Sequence, residues 1–272
     1  MQDVEMLNME DYKEKMVKWD GDVQEEGLNL LLGDGGFVVT PTKVGYIIST
    51  SDKAGLERKF SAKNRKRNKP GVVLVGSMEQ LEALAELTPN IKKLYQTCFD
   101  RDILLGCILP WKEEGKKYIP NDGSEELMTD VRGTSCFVIK FGVPGEQFAQ
   151  ELWARENKLL FASSANPSGK GNRGLVEGIG SQIADEADLI IDGNEYVASI
   201  QPEDTAETRY EQGVMISFVE DESGELLPDQ DPTDRDTNPA PIFIRKGLYN
   251  TELMELMAED WNSWDYRHGH YY

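Results

Sequence analysis

The sequence predicts an α/β domain, and three observations carry that prediction. Short β-branched runs bounded by glycine recur along the chain, capped helical patterns fall between them, and no middle segment has the composition of a linker between two cores. With 272 residues, 39% of them hydrophobic and 29% charged, the chain can bury one large core and is too balanced in composition for disorder or a fibrous repeat.

The elements follow in order. Residues 1–25 are polar and acidic, with Met6, Met9 and Met16 loosely spaced, and read as a short helix or a lid-like arm. Gly35-Gly36-Phe37-Val38-Val39-Thr40 reads as a buried strand after a glycine turn, and residues 71–76 as a second one. Ser77-Met78-Glu79-Gln80 has capping-box spacing, and Leu81, Leu84 and Leu87 then share a face, so a helix follows. Further strands fit 103–109, 135–141, 159–162, 189–191, 214–219 and 242–245; further helices fit 146–156, 175–187 and 252–260. Residues 220–236 hold eight acidic residues, one arginine and two prolines, the composition of a solvated loop between the last two strands. The expected organisation is an acidic arm over 1–25, one domain over 26–250, and a C-terminal helix with an aromatic tail over 251–272.

Charge and residue usage exclude several function classes. A net charge of −20 repels phosphate backbones on average, which argues against general DNA coating and an anionic-membrane anchor. Cys98, Cys107 and Cys136 are odd in number and widely spaced, so they suit a reducing compartment and neither a disulfide framework nor a zinc ribbon. The longest uncharged apolar run, 103–111, is about half the length of a bilayer crossing, and the acidic start lacks the basic flank of a secretion signal. A cytoplasmic location is expected. His268 and His270 lie in the last five residues, which leaves no histidine for a core hydrolase triad or an HExxH metal site.

Three segments could carry chemistry. Residues 53–70 sum to +7 while the rest of the chain sums to −27. Such a run can be a helix face neutralised by neighbouring carboxylates, but here it leads straight into a buried strand, and ligands of open α/β sheets sit at strand ends. The segment therefore reads as an anion-binding element for polyphosphate or carboxylate. Residues 161–172 follow an apolar strand with many small hydroxyl and amide groups, as an ordinary Ser/Asn/Gly turn would, or as a loop whose backbone N–H groups approach a phosphate. Thr40-Pro41-Thr42-Lys43-Val44-Gly45-Tyr46 ends the first strand and presents Thr42, Lys43 and Tyr46 at the same sheet edge. No GxxxxGK[ST] loop is present.

Taken together and in this order, the Pro-Thr turn, Lys63-Asn64-Arg65-Lys66-Arg67-Asn68-Lys69-Pro70 and Ser163-Ser164-Ala165-Asn166-Pro167-Ser168-Gly169 resemble the YrdC-like family, the threonylcarbamoyl-adenylate synthases and their relatives. Leu87-Thr88-Pro89 before a helix, Leu189-Ile190-Ile191-Asp192-Gly193 and the final Arg245-Lys246-Gly247 agree with the same pattern, which covers roughly residues 25–250.

The resemblance implies a twisted mixed β-sheet with flanking helices around a positively charged cavity. It implies an enzyme that joins L-threonine, bicarbonate and ATP, with Mg²⁺, into threonylcarbamoyl-adenylate and pyrophosphate, for modification of adenosine 37 of tRNA. By position it implies that Lys63 and Arg65 hold the triphosphate and the carboxylate or carbamate, and act in catalysis. Ser164, Asn166 and Ser168 would bind the adenylate, with Arg245 closing on it, while Thr42, Tyr46 and Ser217 would line the amino-acid end. Such chemistry needs positioning and cations and no histidine base.

The chain departs from the family pattern at the amino-acid end. Where members read Pro-Thr-Asp-Thr-Val-Tyr-Gly-Leu, this chain has Lys43 and Val44 in place of the Asp and the second Thr. The Trp-Pro-Gly-Pro-Leu-Thr run is replaced by residues 99–106, and Ser-Thr-Val-Val by Ile216-Ser217-Phe218-Val219. A changed acyl acceptor or a hydrolytic variant is therefore an alternative, as is a non-catalytic module that binds tRNA or double-stranded RNA in the same hollow. An interaction protein docking through Trp261, Trp264 and Tyr266 is a third; such aromatics more often pack a C-terminal helix onto its domain. For the enzyme, the resemblance implies tRNA or tRNA-modification proteins as partners.

Overall fold

A computed structural model describes residues 5–63, 70–167, 170–231, 233 and 239–269. A 3-10 turn, Met9–Lys15, leads into β1 (Met16–Lys18) and then α1 (Glu25–Leu32). The hairpin β2 (Val38–Thr42) and β3 (Gly45–Thr50) precedes α2 (Lys53–Lys63) and β4 (Gly71–Leu74). Next come α3 (Met78–Leu84), α4 (Pro89–Asp100), β5 (Leu105–Pro110), α5 (Glu125–Met128), β6 (Thr134–Ile139), α6 (Val143–Glu156) and β7 (Leu160–Ser164). The chain finishes with α7 (Ser181–Glu186), β8 (Leu189–Asp192), α8 (Asn194–Ile200), β9 (Val214–Ser217), β10 (Ile242–Arg245), α9 (Asn250–Asp260) and β11 (Asp265–Tyr266).

The strands form one mixed sheet in the order β1-β8-β2-β3-β7-β4-β6-β5-β9-β10-β11. The α/β prediction holds, with parallel pairs such as β4–β6 beside antiparallel ones such as β3–β7. Alternation along the strands divides the core. Val73, Phe137, Phe161, Cys107, Ile216 and Phe243 face one side, in a cluster with residues of α3, α4 and α9, while Leu74 and Leu160 face the other beside α1 and α6 residues such as Leu28 and Phe148.

Local chemistry explains the elements that the sequence showed. Ser77 accepts from the Gln80 N–H at 3.1 Å, and the Gln80 carboxamide oxygen returns a bond from Gly76 N–H at 2.8 Å, so the capping residues start α3 as expected. Thr88 caps α4, with Pro89 in its first turn. The expected helix over 175–187 is instead a 3-10 turn, Val176–Gly178, followed by α7, because Gly180 at φ +87° cannot continue a right-handed helix. The segment before residue 25 contributes β1, which pairs in parallel with β8. Trp261 stacks against Phe218 at 5.2 Å, and Trp264 and Tyr266 lie against Phe243.

The three cysteines are buried and free, and burial pushes the Cys98 and Cys136 thiols up to about 12. Among the described residues, no helix is long and apolar enough to cross a membrane.

Helix α2 shows why pattern reading passed over it: its buried positions include Lys59 and Lys63 where an apolar stripe would be expected. It is anchored by Arg58, whose guanidinium donates to Glu186 at 2.5 Å, to both Asp188 oxygens at 2.7 and 3.0 Å, and to the Gly35 carbonyl at 2.7 Å. These carboxylates raise the arginine's pKa above its usual range. Arg58→Ala is expected to lower unfolding free energy by about 2 kcal/mol in urea titration, and Arg58→Lys to recover part of it, since an ammonium cannot reproduce the planar fork.

Candidate functional site

A cavity of about 360 Å³ opens on the second face of the sheet. Its floor runs across seven strands in register: Ile47 opposite Ser164, Ala162 opposite Val72, Leu74 opposite Val138, then Gly106, Met215 and Arg245. These residues share a face because side chains alternate and the pairings are direct. The register shift between Phe243 and Arg245 places Arg245 opposite Met215, a bulge that carries a cation to the floor's edge. The walls come from α2, the loop after β7 and residues 211–213. Among the described lining residues, Lys59, Lys63, Lys170 and Arg245 face a single carboxylate, Glu211.

Six of the nine residues expected at the site line this cavity: Lys63, Ser164, Asn166, Arg245, Thr42 and Tyr46. Lys63 is 6% exposed, and its ammonium donates to the Ser164 carbonyl and, at 3.1 Å, to the Ser164 hydroxyl. The side-chain amide of Asn166 donates to the carbonyls of Pro167 and Lys170, while its Oδ1 is buried without a hydrogen bond among the described residues. Arg245 Nε donates to the Gly213 carbonyl at 2.8 Å. Arg65 and Ser168 lie outside the described residues.

The residues expected to line an amino-acid end are placed differently. Thr42 Oγ1 donates to the Gly45 carbonyl at 2.9 Å and accepts from Val44 N–H, so its hydroxyl closes the hairpin turn. The Tyr46 hydroxyl donates to Asn194 Oδ1 at 2.7 Å and accepts from Gly193 N–H at 3.0 Å, and burial raises its pKa. Ser217 is fully buried between Ile108 and Ile242, and the cavity lining ends at Met215 on that strand.

Sequence reading gave no role to Asn172, which is 5% exposed. Its amide donates to the carbonyls of Tyr46 and Ala165 at 3.1 and 3.0 Å, and its Oδ1 accepts from Gly174 N–H, so it fastens the loop after β7 to β3. Gly45, at φ +137°, leaves the space that this carboxamide fills. The signal available was an asparagine ending a glycine-rich run, which is too common to single out.

Residues 30–205 match the profile of the Sua5/YciO/YrdC family, described as Telomere recombination. The chain belongs to this family. A hypothetical protein from Streptococcus mutans UA159, smu.1377c, superposes with a TM-score of 0.88 at 58% identity, covering 94% of this chain and 99% of that one. Sua5 from Pyrococcus abyssi complexed with L-threonine has the same fold, with a TM-score of 0.59 at 20% identity over 90% of this chain and 61% of that one. A curated relative from the same organism, a threonylcarbamoyl-AMP synthase, is 24% identical over 164 residues, 60% of this chain; the match spans 44% of that relative's length.

Lys43, which replaces the Asp of the family pattern, turns away from the Sua5/YciO/YrdC cavity. It is 2% exposed; its ammonium contacts Asp102 Oδ2 at 2.8 Å and the Asp102 carbonyl at 2.5 Å, and lies over the Tyr249 ring. Lys140 joins the same carboxylate at 2.9 Å and reaches Glu146 at 3.2 Å. Asp102, Lys140 and Tyr249 all have left-handed backbones (φ +56°, +51° and +65°), a local strain of about 1 kcal/mol each that the charge network holds in place.

Burial lowers the Lys43 ammonium pKa and outweighs the opposing pull of Asp102. Partial burial would raise Asp102, but the hydrogen bonds from Lys43 and Lys140 prevail and hold its carboxyl below the usual range. The stabilisation from Asp102 is therefore complete at neutral pH and is lost as pH falls through its depressed folded value. Asp102→Asn is expected to destabilise the protein by about 2–3 kcal/mol at pH 7, because Lys43 stays buried without its carboxylate. The gap between variant and parent should close on acidification below about pH 4, measured by denaturant unfolding across pH.

Proposed function

We propose that the chain is a threonylcarbamoyl-adenylate synthase-like enzyme, a nucleotidyltransferase acting on ATP, bicarbonate and an amino acid of the L-threonine class. The observation that carries this reading is the meeting of Lys63, Ser164, Asn166 and Arg245 around one cavity. The curated relative's activity and the L-threonine held by the Pyrococcus protein support the substrate set. The reaction feeds modification of adenosine 37 in tRNA, with tRNA-modification proteins as downstream partners in the cytoplasm.

The residues supply what this chemistry needs. The amino nitrogen attacks the bicarbonate carbon, water is lost, and a carbamate forms. A carbamate oxygen then attacks the α-phosphorus of ATP and pyrophosphate leaves. Negative charge gathers on the phosphoryl oxygens, so preorganised cations in a partly dry cavity are the main source of rate. Lys63 is already oriented by Ser164, and Arg65 follows it by two residues; both act on the triphosphate and the carbamate. Asn166, with Ser164 and Ser168, binds the adenylate, and Arg245 closes on it.

Among the described residues no group of three or more His, Cys, Asp or Glu side chains is placed to hold a metal, and the cavity presents the one carboxylate of Glu211. This donor set fits a Mg²⁺ that arrives on the triphosphate, with Glu211 as its protein ligand, and the ion would neutralise phosphate charge.

Incubation with ATP, bicarbonate and L-threonine is expected to release pyrophosphate and give a threonylcarbamoyl-adenylate mass by chromatography with mass spectrometry. Absence of pyrophosphate with every amino acid offered would remove the synthase assignment. Lys63→Ala should lower kcat/KM by about 10²–10³ with the fold intact by circular dichroism.

A further inference from the structure

We infer that the acceptor end of the cavity selects an amino acid with an aliphatic side chain, valine or isoleucine in preference to threonine; this deepens the synthase reading and rests on it. Among the described lining residues, Lys63, Ser164, Asn166 and Lys170 stand on the β7 side, where the nucleotide is placed, while Arg245 lies opposite Met215 at the far edge of the floor. The apolar part of the lining includes Val44, Leu104, Phe141, Val138, Gly106 and Met215, and Phe141 meets the Thr42 turn through its carbonyl, which accepts from Lys43 N–H. Four of these, Val44, Leu104, Phe141 and Val138, belong to one packed apolar cluster.

Among the described residues, the hydroxyls expected at this end do not face it. Thr42 Oγ1 is spent inside the hairpin turn, the Tyr46 hydroxyl is held by Asn194 and Gly193, and Ser217 lies beyond the lining. Val44 stands where the family pattern has a threonine, and Lys43 points out to Asp102. A threonine side chain bound here would bury its Oγ with no hydroxyl partner among the described residues, whereas valine, of nearly the same shape, loses nothing. Gly106 lets Cys136 Sγ and Val138 Cγ2 pack close against the floor, since a Cβ there would come within 3.1 Å of both.

An apolar pocket separates valine from threonine by about 100-fold at best. Pyrophosphate release with ATP and bicarbonate is therefore expected to show a kcat/KM for L-valine or L-isoleucine about 10- to 100-fold above that for L-threonine. Val138→Thr, equal in size, should narrow that ratio by restoring a hydroxyl at the acceptor end. A parent enzyme that uses threonine as well as valine, or better, overturns the inference. If no amino acid yields pyrophosphate, the synthase reading fails and binding still decides the pocket. In a thermal-shift series with AMP present, larger stabilisation by valine and isoleucine than by threonine upholds the inference, and equal, reversed or absent shifts overturn it.

Discussion

The pairing of β3 with β7 is the constraint on which the site depends. Ile47 lies opposite Ser164 and Ile48 opposite Ser163, which sets the turn after β2 beside the loop after β7 although more than a hundred residues separate them. Asn172 then ties that loop to the Tyr46 and Ala165 carbonyls, and Lys63 reaches in from α2 to Ser164. A slip of one residue in this pairing would turn Ile47 and Ser164 to the opposite face and empty the cavity of its polar end.

The sheet shows how an acidic protein can build a cationic site. Helices α3, α4 and α9 cover one face, α1 and α6 cover part of the other, and the strip from Ile47 to Met215 is left to line the cavity. Among the described lining residues four cations stand against one carboxylate, although the chain as a whole carries a net charge of −20. Local concentration of charge inside low-dielectric walls matters more to an anionic ligand than the sum over the molecule.

Two lysines that look alike in sequence do different work. Lys63 lines the cavity and donates to the carbonyl and hydroxyl oxygens of one serine. Lys43, at the position where the family pattern has Asp, is neutralised by Asp102 and stabilises three left-handed backbone positions behind the apolar wall. The substitution therefore changes the support of the Thr42 end of the cavity and turns a charged side chain away from it.

Sequence alone determined the α/β class, most central strands, the capped start of α3 and the family resemblance, because these rest on short-range patterns: β-branched runs, a serine three residues before a glutamine, and the Ser-Ser-Ala-Asn loop. It also brought forward Lys63, Ser164, Asn166 and Arg245. What it did not assign were α2, whose buried face carries Lys59 and Lys63, and β3, of which only Gly45 and Tyr46 were read, as the end of the preceding strand. The inward commitment of the Thr42 and Tyr46 hydroxyls and the burial of Ser217 were equally hidden. Tertiary structure alone decided these, since the direction a hydroxyl or ammonium points depends on partners such as Asn194, Asp102 and Ser164 that lie tens to more than a hundred residues away.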